Sequence, residues 1–168
     1  MAKTKSREPR EKQRGELNES IVKIKRCSAV VKGGRRFSFA AMIVVGDGKG
    51  KVGWGYGKAN EVPPSVEKAR KEGMRSMITV PMEGSTIPHV VKGRFGGSEV
   101  ILVPASEGTG VIAGSAVRAV CEAAGIHNIL TKSFGSNNPI PLVKATMAAL
   151  QELRPKSEIE RLRGVTLS

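Results

Sequence analysis

The chain runs to 168 residues, with 28 Lys+Arg against 15 Asp+Glu, a formal charge of +13 and 39% hydrophobic residues. That length makes one domain or two small ones, and so large an excess of cations points to phosphate backbones or an anionic membrane surface as partner. Two distant cysteines, Cys27 and Cys121, without Cys-x-x-Cys spacing exclude a disulfide scaffold, and no apolar run is long enough for a bilayer-spanning helix.

From the N-terminus, residues 1–16 set Lys3, Lys5, Arg7, Arg10, Lys12 and Arg14 among a few acids with no apolar period, which predicts a disordered basic arm. They contain no apolar leader, so a cytoplasmic protein with reduced thiols is expected. A β-branched run over 21–31 predicts a strand, and Phe37, Phe39, Ala41, Ile43 and Val45 alternate along a second. Gly33-Gly34 and Gly48-Lys49-Gly50 read as hairpin turns, because glycine takes the positive φ that tight turns require. In a third strand Val52, Trp54 and Tyr56 share one face while Gly53, Gly55 and Gly57 share the other. The expected unit is a three-stranded antiparallel meander with Lys32, Arg35, Arg36, Lys49, Lys51 and Lys58 at the ends of the sheet. Trp54 and Tyr56 read either as base-stacking rings on a sheet or as core beneath a helix; alternation with three glycines favours the core.

Pro63 and Pro64 suit a helix start, where proline loses no needed hydrogen bond. Val62, Val66, Ala69, Gly73 and Met77 would face the sheet, with Lys68, Lys71 and Arg75 opposite. That basic face reads equally as a binding surface or as ordinary solvation. A break at Pro81-Met82-Glu83-Gly84-Ser85 suggests a domain boundary. Beyond it, strands are predicted over 87–91 and 100–103, joined by the basic turn Lys92-Gly93-Arg94-Phe95-Gly96-Gly97, in which Phe95 is the exposed aromatic. An Ala-rich helix over 114–124, a strand over 126–132 and a helix opened by Pro141, with Val143, Met147, Leu150 and Leu153 on its apolar side, complete a ββαβα unit. A charged tail begins near Lys156, with a short helix expected before it frays.

The chemistry-bearing motifs are few. Gly48-x-Gly50-x-x-Gly53 matches a dinucleotide fingerprint by letter, but a strand follows it where pyrophosphate binding needs a helix N-terminus. Gly108-Thr109-Gly110 follows a strand and is expected to open a helix, yet Lys132 stands near the place where an acid would hold a ribose. Close packing, or an anion or protein contact, is favoured there over a nucleotide site. No Walker loop is present, and His89 and His127 are isolated from any ligand set. No cofactor, metal or catalysis is expected. The rival readings are a small enzyme using the Gly108 turn as a phosphate cradle and a free RNA chaperone of the same fold.

Gly34-Arg35-Arg36-Phe37-Ser38-Phe39, Val45-Gly46-Asp47-Gly48, Val52-Gly53-x-Gly55-x-Gly57-Lys58-Ala59 and Glu61-Val62-Pro63 together closely resemble the signature of the bacterial small-subunit ribosomal protein five family. Pro104-Ala105-Ser106-Glu107-Gly108-Thr109-Gly110, Ala119-Val120, Gly125-Ile126-His127-Asn128 and Gly135-Ser136-x-Asn138-Pro139 continue the match, which covers residues 20–154. The resemblance implies an α+β protein of two small domains. The first, 17–83, resembles the double-stranded-RNA-binding fold, a three-stranded sheet with a helix; the second, 84–154, is a β-α-β-α domain, with a charged tail over 155–168. It implies a structural constituent of the small ribosomal subunit, on the ribosome in the cytoplasm, supporting assembly and translational accuracy. The implied partners are small-subunit ribosomal RNA and small-subunit proteins four and eight, with messenger RNA nearby and no membrane. RNA contact is expected at Lys32, Gly33, Gly34, Arg35, Arg36, Lys49, Lys51, Lys58, Lys68, Lys71, Lys92 and Arg94. A protein interface is expected at Gly108, Thr109, Gly110 and Arg118.

Overall fold

A computed structural model describes residues 17–164. The predicted basic arm, 1–16, and the last residues of the tail, 165–168, lie outside them. Strands β1 (Asn18–Val31), β2 (Gly34–Gly46), β3 (Lys51–Ala59) and β4 (Ile78–Thr79) form an antiparallel sheet in that order. The meander is as expected, with a short fourth strand added where Ile78 and Thr79 pair with Val52 and Lys51.

Helix α1 (Val62–Arg75) opens on its two prolines and buries Ser65, Ala69 and Gly73. Beneath it lie the glycines of β3. A Cβ on Gly55 would stand 1.9 Å from the Ala69 carbonyl oxygen, one on Gly57 2.1 Å from that of Ser65, and one on Gly53 2.2 Å from that of Gly73. This reverses the expected orientation of β3: the glycine face takes the helix, and Val52, Trp54 and Tyr56 point away from it. Helix backbone can settle onto strand backbone only where no Cβ intervenes. The ring volume of β3 therefore fills the other side of the sheet, where a second layer waits.

Strands β5 (Val91–Phe95), β6 (Ser98–Pro104), β7 (Val111–Ile112) and β8 (Ile129–Gly135) make a second sheet of order β5-β6-β8-β7, with β7 parallel to β8. Helices α2 (Ser115–Ala124) and α3 (Pro139–Glu152) cover one face, and α4 (Lys156–Arg163) follows. Three expectations are corrected. The strand placed at 87–91 starts only at Val91 and takes in Lys92, Gly93, Arg94 and Phe95, which leaves Gly96-Gly97 as the turn. Gly93 is a packing position, since a Cβ there would lie 2.1 Å from the Ala145 carbonyl oxygen of α3. The strand placed at 126–132 starts at Ile129, because the His127 and Asn128 amides both donate to the Ser85 carbonyl. The two-residue β7, too short to show a period, turns ββαβα into βββαβα.

The largest core cluster runs through both sheets: Met42, Val44 and Val52 share it with Val100, Leu102, Val120, Ile129, Val143 and Leu150. Ile43, Val45 and Ala69 form a smaller cluster under α1. Residues 40–46 of β2 are thus buried on both faces. The C-terminal end of α2 rests on the β2–β3 turn, where Gly48 N–H donates to the Ala123 carbonyl (3.1 Å) and Gly50 N–H to that of Ala124 (2.9 Å).

Candidate nucleic-acid interface

Pairing of β2 with β3 stops at Phe39, whereas pairing with β1 continues to Val31 opposite Gly34. Residues 27–31 and 34–38 therefore leave the sheet as a two-stranded ribbon, roughly 17 Å long at about 3.4 Å per residue. Its turn is Lys32-Gly33, one residue earlier than expected, and Gly34 (φ 136°) is the first residue of the return strand. A Cβ on Gly33 or Gly34 would meet nothing within 4 Å, so the tip stands in solvent. Between Ser20 and Gly46 the cations are Lys23, Lys25, Arg26, Lys32, Arg35 and Arg36, and there is no carboxylate. Register places Lys23, Lys25 and Arg36 on the face away from α1, and Arg26 and Arg35 on the α1 side, where the Arg26 guanidinium lies 4.6 Å from the Phe37 ring centroid. Lys23, Lys25 and Arg26 were not among the cations expected at the RNA from the sequence. The acid-free interval is the sequence signal that groups them with Lys32, Arg35 and Arg36.

Lys58 and Lys68 meet at the base of the ribbon, where the Lys68 ammonium donates to the Lys58 carbonyl (3.4 Å). They line an open cleft of about 550 Å³ with Ser38, Asn60, Glu61 and Pro64. Lys71 is ion-paired with Glu67 at 2.8 Å, and that contact draws the Glu67 carboxyl below its ordinary range. Lys49 and Lys51 sit at the opposite end of the sheet. Their backbone N–H groups donate to one Asp47 carboxylate oxygen at 2.8 and 2.9 Å. Burial opposes ionisation of Asp47, yet these two bonds and the Lys51 charge together hold its pKa below the usual value. Lys92 and Arg94 lie exposed on β5, and Ile101 of β6 separates Lys92 from Lys132 in one cross-strand row. The twelve predicted RNA residues are thus not one patch. Lys32, Gly33, Gly34, Arg35 and Arg36 share the ribbon; the rest fall on four other parts of the surface.

The loop at Gly108, Thr109 and Gly110 does not open a helix as expected, because β7 intervenes and α2 starts at Ser115. The Gly110 N–H donates to the Asn128 side-chain oxygen (3.0 Å), and the Gly110 carbonyl accepts from Ile129 N–H (3.1 Å). That amide is committed within the fold, so the turn is no phosphate cradle of the helix-terminus kind. Gly108 and Arg118 are both exposed, on the loop and on α2. Cys121 is buried in α2, and burial pushes its thiol pKa up to about 12. Among the described residues no helix is long and apolar enough to cross a membrane, and no three His, Cys, Asp or Glu side chains gather where they could hold a metal ion.

The N-terminal domain of ribosomal protein S5 matches residues 17–81, and its C-terminal domain matches residues 93–163. The chain is 66% identical over 149 residues to small ribosomal subunit protein uS5 of Rhodopirellula baltica, covering 89% of this chain and 84% of that one. It is 54% identical over 155 residues to the uS5 protein of Idiomarina loihiensis and 52% identical over 155 residues to that of Shewanella oneidensis, covering 92% of this chain and 93% of each relative. With both halves matched in order, the chain belongs to the ribosomal protein S5 family, a structural and not an enzymatic class.

Proposed function

We propose that the chain is a structural constituent of the small ribosomal subunit that grips folded ribosomal RNA with its β1–β2 ribbon. The observation that carries this reading is the ribbon itself: cations on both faces, no carboxylate from Ser20 to Gly46, and a tip free of neighbouring protein. Lysines and arginines held on paired strands neutralise close-set phosphates and release their counterions, with little side-chain ordering left to do on binding. A glycine turn lets backbone amides approach phosphate oxygens, so shape and junction geometry are read more than base sequence. Lys58 and Lys68 extend the contact at the ribbon base; Lys49, Lys51, Lys71, Lys92 and Arg94 supply separate anchor points.

The finer reading follows the family resemblance. The chain, of units 17–83 and 84–154, has small-subunit proteins four and eight as neighbours, with messenger RNA nearby in a cytoplasmic ribosome. Gly108, Thr109, Gly110 and Arg118 face protein and bear on translational accuracy. The chain binds and performs no catalysis.

The test is a Lys32→Ala, Arg35→Ala, Arg36→Ala triple variant, titrated against small-subunit ribosomal RNA over a range of salt. The fold stays intact, affinity drops, and the slope of log affinity against log salt falls by roughly 2–3. Unchanged affinity with an unchanged slope would remove the ribbon from the interface.

A further inference from the structure

The structure separates the two aromatic residues that the sequence grouped. Trp54 packs against the core and lies under the Lys144 ammonium, 4.8 Å from its ring centroid. Tyr56, one repeat further along the same face, is 39% exposed, and its hydroxyl finds no hydrogen-bond partner among the described residues. The same Lys144 ammonium lies 4.8 Å from the Phe95 ring centroid, and Phe95 is 45% exposed beside the open Gly96-Gly97 turn. Three rings and one ammonium therefore follow one another along a strip from the first sheet to the second: Tyr56, Trp54, Lys144, Phe95. Tyr56 follows Trp54 by about 7 Å along the strand. Register puts Lys58 next on the same face.

We infer that Tyr56 and Phe95 are a stacking site for unpaired nucleotides of an RNA strand, with Lys144 and Lys58 taking its phosphates. This rests on the RNA-binding reading above and assigns a second form of RNA to the surface that runs on from Lys58 at the ribbon base. Stacking needs a base that has left its helix, so a fully paired duplex, whose bases are shut inside, cannot use these rings. Charge selects the occupant. Glu99 stands opposite Arg94 on the second sheet, and Glu72 is spent on the Tyr56 amide at the strand edge, yet Lys58 and Lys144 form no ion pair among the described residues. An apolar protein surface laid here would bury those ammonium groups without counter-charge, a penalty that a phosphate chain removes. Sequence-tolerant binding is expected, since every base offers a π face.

The test uses the full chain with short oligoadenylate and oligouridylate strands and with a fully paired RNA duplex. Wild type binds the single strands and quenches Trp54 fluorescence. Tyr56→Ile, which keeps a β-branched strand former, and Phe95→Ala each weaken single-strand binding about tenfold, with duplex affinity unchanged. Tyr56→Phe keeps single-strand binding. Equal single-strand affinity in wild type and both ring-deleted variants overturns the inference, as does a Tyr56→Phe defect as large as that of Tyr56→Ile. Should a ring-deleted variant fail to fold, photocrosslinking of wild type to 4-thiouridine-containing strands decides: adducts at Tyr56 or Phe95 support the site, and adducts confined elsewhere overturn it. A wild type that binds duplex but no single strand sinks this site alone. A wild type that binds neither sinks the RNA-binding reading as well.

Discussion

At Gly55 the absence of a single methyl decides how close a helix comes to a strand. Its missing Cβ would lie 1.9 Å from a backbone carbonyl oxygen of α1, and a carbonyl inside a helix cannot rotate away as a side chain can. Gly55→Ala must push the helix off the sheet, at a cost of about 3 kcal/mol from overpacking. Gly33→Ala is the internal contrast: nothing lies within 4 Å of the new Cβ and φ there is not positive, so its effect stays within about 0.5 kcal/mol. Equilibrium denaturation of the two variants checks this. A Gly55→Ala loss below about 1 kcal/mol would mean that helix and strand slide apart freely.

The edge of β3 shows what one element does for another. Beyond its short pairing with β4, β3 presents unpaired amide and carbonyl groups, which invite association with other strands. Lys68 and Glu72 of α1 and Ser76, which caps its C-terminal end, recur every four residues, so they stack on one helix side and reach down to that edge. The Lys68 ammonium donates to the Lys58 carbonyl at 3.4 Å, Tyr56 N–H donates to Glu72 at 3.1 Å and the Ser76 hydroxyl donates to the Trp54 carbonyl at 2.7 Å. Part of the basic helix face is therefore occupied in holding the sheet, a third role beside binding and solvation. Glu72→Ala should speed hydrogen exchange at the Tyr56 amide about fivefold, the equivalent of one lost hydrogen bond of roughly 1 kcal/mol. Exchange as slow as in wild type would show that the carboxylate is not what protects it.

Across the whole molecule, α2 lies between the two sheets and one core cluster reaches into both. The β2–β3 turn and the end of α2 meet through backbone, with Gly46 and Gly125 making room: a Cβ on either would lie 2.0 or 2.1 Å from a carbonyl oxygen of the opposite segment. A shared core and a backbone-to-backbone joint predict one cooperative unfolding transition. Trp54 fluorescence in the first unit and thiol labelling of Cys121 in the second should give the same denaturant midpoint. Cys121 stays unreactive at neutral pH until that transition, being buried with its thiol pKa raised to about 12, whereas the partly exposed Cys27 is open to reagent. Separate midpoints would establish two independently folding halves.

The local pattern was enough to place β1, β2, β3, α1, α2 and α3, because each carries a run of period 2 or 3.6 bounded by glycine or proline. The ribbon's Lys32, Arg35 and Arg36 were legible for the same reason, as was the exposure of Phe95. The facing of β3 was not. Alternating rings and glycines fit either face of a sheet, and only the descent of α1 onto Gly53, Gly55 and Gly57 chose between them. Nor could the sequence divide the cations into those on the ribbon, those beside Asp47 and those on the second sheet. Composition sets the amount of charge and periodicity sets the elements, both of which are local properties of the chain. Which faces meet, and so which rings and cations are left outside, is decided when two sheets compete to cover the same helix.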